Sequence, residues 1–442
     1  MINLERFQHI SVLGAAGKMG SGILLLNVLH SAKMKHLPDF VGKTFVINAI
    51  DQSYDQLDHL NEYLKVQVQK WAESNIVWLR KAFNNRPHLI DNKDVIETFV
   101  FEALALVKHA ISKEAAYHST LVFEAITEDE AIKTEVLADI NVNNPHDPWF
   151  LTNTSSIPIH VLNERAKLDG NIVGCHFYNP PAVQKLIEVI ELKNGNPDLV
   201  HLVNGFGKQM KKVMVPSNDV AGFIGNGFFI RDILFAGELV NRLMPELYLT
   251  DAITAVDIIT RDLLVRPMGI FQLIDYVGID VCQFIMDVMS YHLDKEMVSP
   301  LLNDWLLKGV KGGQNADGSQ KDGIFKYVNG RAVSIFDTTL GTYIDIIPIH
   351  EKVYEYLDVH AKGYTWKQLS RSKYTDQHLE EFFTQLLAES SPGALLTQEY
   401  MEAMKQIALQ LVEDGVAHST DDVNTVMQYG FYHLYGPVND YL

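Results

Sequence analysis

The chain has 442 residues, enough for two or three domains with a sizeable core, and 47% of them are hydrophobic. Lys and Arg together number 37 against 55 Asp and Glu, which gives a formal net charge of -18. This acidic balance argues against nucleic acid and against an anionic membrane surface as a partner, although a phosphorylated small molecule needs only a local set of donors.

Cysteine content and hydropathy indicate where the protein works. Cys175 and Cys282 are too few for a disulfide framework and fit a reducing compartment. The first residues lack the basic and then apolar layout of a signal peptide. No apolar run approaches the roughly 18 residues that a membrane span needs. We therefore expect a cytoplasmic protein that does not enter a membrane.

A glycine-rich turn lies near the start of the chain, between a strand predicted over residues 9–13 and an amphipathic helix predicted over residues 18–32. The turn consists of Gly14, Ala15, Ala16, Gly17, Lys18, Met19 and Gly20. In this arrangement backbone N–H groups and the N-terminus of the helix hold a pyrophosphate. The turn reads GxxGxxG rather than GxGxxG, and the alternative to nucleotide binding is a purely structural turn.

An acidic residue ends the second predicted strand. This strand covers residues 44–50, follows a longer loop, and is followed at once by Asp51. A carboxylate at this position accepts hydrogen bonds from ribose hydroxyls, and residues 52–54 provide no Arg for a 2′-phosphate. The sequence therefore favours NAD over NADP.

Two helical stretches follow, over residues 56–83 and 94–113, and we predict that they form a hairpin inserted at about residues 52–115. Lys65 and Lys70 lie on the first of them. They are either solvated surface lysines or contacts to a phosphorylated ligand.

Polar residues follow a later strand of the predicted sheet. The sheet resumes at residues 119–126, a helix runs to Ile140, and a strand over residues 149–152 leads into Asn153, Thr154, Ser155 and Ser156. The carboxyl ends of parallel strands are where ligands bind in such sheets. Ser155 or Ser156 also serves as a cap for the next helix, and both roles are compatible.

A histidine and an acid occupy a predicted strand pair over residues 172–177 and 185–192, which is joined by a turn at Pro180 and Pro181. Alternation places Glu188 among apolar neighbours, where an unpaired carboxylate is costly. His176 is the nearest candidate partner. An acid that orients an imidazole and stabilises its cation suits a general base, and a structural pair is the alternative.

The remainder of the chain is predicted to be helical. The predicted helices cover residues 219–243, 251–264, 269–291 and parts of 358–442, with a glycine-rich break at residues 309–327. Asn226 on the first helix is either a packed hydrogen-bonding bridge or a group aimed into a cleft.

The tail resembles a diverged copy of the helices before it. At an offset of 167 residues the matching pairs are Val256 with Val423, Ile259 with Val426, Leu264 with Phe431, Gly269 with Gly436 and Phe271 with Val438. The copy contains no counterpart of the strands that carry His176 and Glu188, so it is expected to pack or to dimerise. A homodimer is the expectation, and the alternative is a monomer in which the tail imitates a partner's module.

With these residues identified, the chain resembles the 3-hydroxyacyl-CoA dehydrogenase family over about residues 7–327. The blocks that carry the resemblance are VLGAAGKMGSGI, VFEAITEDEAIK, TNTSSI, GCHFYNPPAVQKLIEVI, NDVAGFIGN and RPMGIFQLIDYVGID. The resemblance implies an α/β Rossmann-type NAD-binding domain at residues 1–216, then all-α domains similar to the C-terminal domain of 6-phosphogluconate dehydrogenase. These are a substrate and dimerisation domain at 217–330 and a second, diverged helical domain at 331–442.

The resemblance also implies roles for individual residues. His176 is similar to the family's catalytic base and Glu188 to its paired acid, while Ser155 and Asn226 resemble the groups that hold the substrate's hydroxyl and thioester carbonyl. The residues that resemble or adjoin the NAD contacts are Gly14, Ala15, Ala16, Gly17, Lys18, Met19, Gly20, Asp51, Glu128, Lys133, Asn153 and Asn179. Lys65 and Lys70 are candidate substrate contacts, and no metal ligand is assigned. The glycine turn is one residue longer than the family's usual GxGxMG.

The implied activity is NAD-dependent oxidation of (S)-3-hydroxyacyl-CoA to 3-oxoacyl-CoA, in fatty-acid β-oxidation or related short-chain acyl-CoA metabolism. One alternative is another β-hydroxyacid dehydrogenase of the same fold, but such enzymes usually rely on a Lys base. The other is a relative that kept the fold for binding or structure and lost turnover. The presence of His176, Glu188, Ser155 and Asn226 together favours the enzyme.

Overall fold

The computed structural model describes residues 4–315 and 318–442. The chain divides into two compact units, Met1–Asp219 and Val220–Leu442. The first unit is an α/β domain and the second is mainly helical, as the sequence predicts. The finer division at residues 216 and 330 stays a prediction.

The first unit is built on one eight-stranded sheet with the strand order β3-β2-β1-β4-β5-β6-β7-β8. The strands are β1 His9–Leu13, β2 Val46–Ile50, β3 Val107–Ala110, β4 Leu121–Glu124, β5 Trp149–Thr152, β6 Ile172–Phe177, β7 Leu186–Glu191 and β8 Val213–Asn218. Strands β1 to β6 are parallel, and β7 runs antiparallel to β6. The order 3-2-1-4-5-6 is that of a dinucleotide-binding fold, in which ligands bind where the chain direction of the crossovers reverses, between β1 and β4.

Within the described part of the chain, seven α-helices accompany this sheet: α1 Gly20–Met34, α2 Tyr54–Ser74, α3 Ile76–Ala82, α4 Asn92–Leu104, α5 Glu130–Asn143, α6 Ile159–Ala166 and α7 Pro197–Gln209. Helix α1 was predicted to be amphipathic, but it is buried on almost every side. It packs on β1 and β2 with one face, and α2 and α4 cover the face that would otherwise meet solvent.

The predicted helix over residues 94–113 is wrong beyond Leu104. The chain turns there and forms β3, which pairs with β2 in register Ile47 to Val107. A single helix over residues 56–83 is also wrong, because α2 ends at Ser74 and α3 begins at Ile76. The inserted segment is therefore helical only as far as α4, and its last residues belong to the sheet.

The second unit contains ten α-helices among the residues that the structure describes: α8 Phe223–Leu243, α9 Leu249–Ile258, α10 Ile270–Val277, α11 Ile279–Leu293, α12 Pro300–Leu307, α13 Ile347–Leu357, α14 Trp366–Leu369, α15 Thr375–Leu386, α16 Pro392–Glu413 and α17 Thr420–Gly430. A π-helix over Ile259–Leu263 continues α9. The predicted helix over residues 269–291 is broken at Gly278, whose φ of 107° suits glycine. Sequence analysis missed a small antiparallel sheet of β9 Phe325–Val328, β10 Arg331–Asp337 and β11 Thr342–Asp345.

Two equivalent hydrogen bonds support the internal repeat. Asp257 Oδ1 accepts the backbone N–H of Phe271 at 3.0 Å, and 167 residues later Asn424 Oδ1 accepts that of Val438 at 3.0 Å. In each copy a glycine, Gly269 or Gly436, lies so close to the same side chain that a Cβ would overlap it. The two copies therefore share a local structure as well as a sequence pattern.

The second copy packs on the first. Helix α16 lies against α8, where Tyr400 and Arg266 both bond the carboxylate of Asp232 in the interior. Burial raises the pKa of Asp232, and this effect outweighs that of Arg266, which stabilises the carboxylate.

A membrane span requires a long apolar helix, and the described residues form none that meets this requirement.

Candidate active site

His176 and Glu188 are direct cross-strand neighbours. They are paired in the register of β6 and β7, and His176 Nδ1 lies 3.1 Å from Glu188 Oε1. Glu188 is completely buried, and His176 is 8% exposed at the carboxyl end of β6. When Nδ1 donates to this carboxylate, Nε2 is the ring nitrogen that can accept a proton. The pairing predicted from the strand alternation is present.

Tyr178 joins this pair, and sequence analysis missed it. Its hydroxyl donates to Glu188 Oε1 at 2.6 Å, and its ring centroid lies 4.9 Å from that of the imidazole. Burial, and then the neighbouring carboxylate, raise the pKa of Tyr178 well above its usual value, so the phenol keeps its proton. The available signal was its position two residues after His176, on the same face of an extended chain.

Ser155 lies beyond the carboxyl end of β5, at the same edge of the sheet as His176, because β5 and β6 are parallel. Glu128 fixes the segment, since its Oε1 accepts the Ser155 N–H at 2.8 Å and the Thr154 hydroxyl at 2.6 Å. Burial would raise the pKa of Glu128, but Lys133 and these hydrogen bonds outweigh it and hold the pKa below its usual value. Glu128 is therefore a carboxylate that positions Ser155.

Glu124 is a second residue that sequence analysis missed. It is completely buried at the end of β4, where Oε1 lies 2.6 Å from Lys133 Nζ and Oε2 accepts the Thr152 hydroxyl at 2.6 Å. Burial would lower the pKa of Lys133, but Glu124 and Glu128 outweigh it and raise the pKa. An acid within the apolar stretch LVFEAI was the signal, and it is the same reasoning that identified Glu188.

The glycines of the turn allow close contacts between backbone segments of the first unit. Gly14 has a φ of 72°, and the N–H groups of Gly14 and Ala15 both donate to the carbonyl of Ile50, at 2.9 and 3.0 Å. A Cβ at Gly14 would overlap the backbone of Ala125, and one at Gly20 would overlap the carbonyl of Gly14. Helix α1 begins at Gly20, so its N-terminus follows directly. A helix N-terminus that directly follows a glycine turn fits a pyrophosphate.

The glycine turn contacts Asp51 directly. The Ala16 N–H donates to Asp51 Oδ2 at 2.8 Å, and the Gln52 N–H donates to Oδ1 at 2.8 Å. Each oxygen keeps a second acceptor position for a ribose hydroxyl. Lys18 and Met19 lie farther along the turn, where Lys18 is exposed and Met19 is half-buried.

The turn between β6 and β7 is secured from two sides. Lys212 Nζ donates to the carbonyls of Pro181 and Gln184, each at 2.5 Å, and burial lowers the pKa of this lysine to about 8. On the other side, a Cβ at Gly22 of α1 would lie 2.9 Å from Pro181 Cδ. The helix that follows the glycine turn therefore packs directly on the turn that follows His176.

The other predicted site residues are placed as follows. Asn153 Oδ1 accepts the Phe177 N–H at 2.9 Å, which ties the end of β5 to the end of β6. Asn179 is half-buried and precedes a cis peptide bond to Pro180. Lys65 and Lys70 are exposed on α2, as surface lysines are. Asn226 lies in the first turn of α8, in the second unit.

Comparisons with known proteins extend this description. The NAD-binding domain of 3-hydroxyacyl-CoA dehydrogenase matches residues 9–220, and the C-terminal domain of the same family matches residues 222–322. A probable 3-hydroxyacyl-CoA dehydrogenase of Caenorhabditis elegans is 26% identical over 322 residues, which are 72% of this chain and 94% of the relative. The mitochondrial hydroxyacyl-coenzyme A dehydrogenase of Homo sapiens is 27% identical over 320 residues, which are 71% of this chain and 91% of the relative.

One solved structure is similar in fold to nearly the whole chain, including the residues after 322. The 3-hydroxybutyryl-CoA dehydrogenase of Escherichia coli K12 has a TM-score of 0.64 at 19% sequence identity, and the match covers 98% of this chain and 90% of the other. The similarity of fold thus continues past residue 322, through the second helical copy. The two consecutive domain matches, the strand order and the glycine turn agree with one another. The chain belongs to the 3-hydroxyacyl-CoA dehydrogenase family, whose first domain binds NAD.

Proposed function

We propose that this chain oxidises (S)-3-hydroxyacyl-CoA to 3-oxoacyl-CoA, with His176 as general base and Glu188 as the acid that stabilises it. The observation that carries the proposal is the buried contact of 3.1 Å between His176 Nδ1 and Glu188 Oε1. The imidazole lies at the carboxyl edge of a parallel sheet, where ligands bind in this fold.

The proton follows a defined route in this mechanism. The substrate hydroxyl gives its proton to His176 Nε2 as the bond between carbon 3 and oxygen becomes a carbonyl. Glu188, bound to Nδ1, stabilises the imidazolium that results. General-base assistance of this kind contributes roughly 10²–10⁴ in rate. The chemistry that NAD supplies when it is bound is acceptance of the hydride from carbon 3.

The residues proposed to hold NAD are those of the turn from Gly14 to Gly20, together with Asp51. The N-terminus of α1, which begins at Gly20 directly after the turn, would face the pyrophosphate, and Asp51 would accept from the ribose hydroxyls of the adenosine half. Glu128, Lys133, Asn153 and Asn179 are proposed to line the other end of the cofactor. The bonds of Glu128 and Lys133 to other side chains give them a structural role as well.

Ser155 and Asn226 are proposed to hold the substrate's hydroxyl and thioester carbonyl. The support for Ser155 is its fixed backbone, which Glu128 holds at the edge of the sheet. A positioned substrate supplies the entropic part of catalysis, because the reacting atoms no longer search for their alignment. Lys65 and Lys70, which are exposed on α2, are proposed contacts to the phosphates of CoA.

We also propose that the protein is cytoplasmic and that it forms a homodimer. The buried, unbridged cysteines Cys175 and Cys282 fit a reducing compartment. The packing of α16 on α8 supports the alternative to the dimer, in which the second copy takes a partner's place. Light scattering separates the two, since a monomer has the chain mass of 49.9 kDa and a dimer has twice that mass.

Reduction of acetoacetyl-CoA, followed by the loss of NADH absorbance, tests the proposed reaction. We expect turnover by the wild-type chain and by His88→Ala, a control at an exposed histidine, and almost none by His176→Ala. Turnover of a free 3-hydroxy acid without the CoA thioester would show a different dehydrogenase. Binding of NADH without turnover of either substrate would show a relative that has lost catalysis.

A further inference from the structure

Two hydrogen bonds converge on one carboxylate oxygen of the dyad. Glu188 Oε1 lies 3.1 Å from His176 Nδ1 and accepts the Tyr178 hydroxyl at 2.6 Å. A short O–H···O⁻ bond of this length is among the stronger hydrogen bonds in proteins. Of these two groups, the phenol lies closer to that oxygen. It is a neutral donor, since burial and the carboxylate both disfavour the phenolate.

A donor on Oε1 changes what the carboxylate can do for the imidazole. A proton held close to that oxygen neutralises part of its charge, and an opposite charge within a few ångströms is what favours the imidazolium. The hydroxyl of Tyr178 therefore weakens the stabilisation that Glu188 gives to protonated His176. Its ring, tilted by 36° against the imidazole at 4.9 Å, supports the imidazole independently of the hydroxyl.

We propose that Tyr178 is a positioning residue whose hydroxyl competes with His176 for Glu188 Oε1 and so keeps His176 a weaker base. The inference rests on the proposed function, in which His176 takes the substrate's proton. It adds a residue that sets the pH range of the reaction by acting through Glu188.

The charged groups around this site come from several elements. Glu188 faces the imidazole from β7, and Tyr178 faces it from the end of its own strand. Lys212, which precedes β8, bonds the neighbouring turn through the carbonyls of Pro181 and Gln184. Across the sheet edge, Glu128 and Lys133 hold the segment that contains Ser155. All of these groups are retained when Tyr178 loses only its hydroxyl.

The test is the pH dependence of kcat/KM for Tyr178→Phe in both directions of the reaction. Oxidation needs neutral His176 and loses activity at low pH, whereas reduction needs the imidazolium and loses activity at high pH. The low-pH limb of the oxidation profile and the high-pH limb of the reduction profile both report the protonation of His176. Without the hydroxyl, both limbs should move to higher pH by about half a unit or more. A role limited to packing would lower the plateau rate or the melting temperature and leave both limbs in place.

A double-mutant cycle tests whether the hydroxyl of Tyr178 acts on His176 through Glu188. In a Glu188→Gln background the neutral amide gives the imidazolium no ionic stabilisation, so Tyr178→Phe should no longer move the limbs. Protein with isotopically labelled histidine gives a second measurement that requires no turnover. The NMR titration of His176 should move to higher pH in Tyr178→Phe, as the limbs do. Unmoved limbs, limbs that move downward, or a variant that fails to fold would each overturn the proposal.

The wild-type chain distinguishes this failure from failure of the proposed function. If wild-type protein does not reduce acetoacetyl-CoA, the reaction assignment is wrong. If wild-type protein is active and His176→Ala is inactive while Tyr178→Phe matches the wild-type pH profile, only the inference about Tyr178 is wrong.

Discussion

Lys133 and Glu124 form a salt bridge of 2.6 Å from Nζ to Oε1 in which neither side chain is more than 1% exposed. Lys133 also lies 3.1 Å from Glu128 Oε2, and Glu128 in turn holds the N–H of Ser155. One ammonium group therefore connects the end of β4 to the segment that carries a proposed catalytic residue. The contribution of this network to the free energy of unfolding can be measured.

Glu124→Gln should destabilise the first unit by about 3–5 kcal/mol, because it removes one of the two charges that compensate a buried ammonium. Urea unfolding measures the change. The matched control is Glu97→Gln, whose partner Lys93 lies 3.7 Å away on the exposed face of α4, and which should hardly change stability. Equal effects of the two substitutions would contradict the assignment of a buried network.

His176→Ala and Glu188→Gln should each lower kcat by at least ~10² and leave the dissociation constant of NADH nearly unchanged. Both side chains lie on the strand pair β6 and β7, and neither belongs to the glycine turn or follows β2 as Asp51 does. Stopped-flow single-turnover rates and fluorescence titration with NADH provide the two quantities. The assignment fails if the variants lose NADH binding but keep the wild-type single-turnover rate.

Asp51 predicts a larger kcat/KM with NADH than with NADPH, because a 2′-phosphate would meet a carboxylate that is already fixed by Ala16 and Gln52. Asp51→Asn should reduce the ratio of the two values. Asp55→Asn, at an exposed residue of α2, should leave the ratio unchanged. Equal values of kcat/KM for the two coenzymes with the wild-type protein would refute the prediction.

His30 predicts a loss of stability in acid. It is 1% exposed between Phe7 and Phe206, and burial, followed by the charge of Lys33, lowers its pKa to about 3. The unfolded chain, with an ordinary pKa near 6.5, binds this proton first, so stability falls as the pH drops from about 6.5 towards 3. The loss amounts to roughly 2 kcal/mol by pH 5.

The variant His30→Leu should remove this share of the pH dependence. Thermal unfolding at pH 5 and pH 7 measures the difference for the wild type, for His30→Leu and for the exposed control His88→Leu. If His30→Leu and the wild type lose equal stability between the two pH values, the histidine is not the source.

The strands nearest the site were predictable because burial on both faces gives parallel strands a nearly continuous apolar sequence. β5 and β6 have the limits that the sequence predicts, and the alternation on β7 correctly brought Glu188 to His176. In each case the residues of the element carry the information themselves. The α/β class followed from the order of such elements, whereas the resemblance to the family was carried by sequence blocks such as VLGAAGKMGSGI and GCHFYNPPAVQKLIEVI.

The features that sequence analysis missed depend on contacts with distant parts of the chain. β3 reads VKHA, which is partly exposed at the edge of the sheet, and its conformation is set by pairing with β2 rather than by its own composition. Tyr178 looks like one more aromatic residue after a strand until the fold shows which oxygen its hydroxyl reaches. Contacts between side chains of distant segments depend on the register and tilt of the elements, and a local pattern does not contain them.

The tandem arrangement of the two helical copies removes a constraint that identical subunits cannot escape. In a symmetric pair of identical chains every substitution is made twice, so the two halves always keep the same residue. Here Asp257 accepts three donors from Phe271 and Gln272, while Asn424 accepts the N–H of Val438 and donates to its carbonyl at 2.8 Å. The same structural position has thus diverged into an acid side chain in one copy and an amide in the other, and each copy is free to evolve on its own.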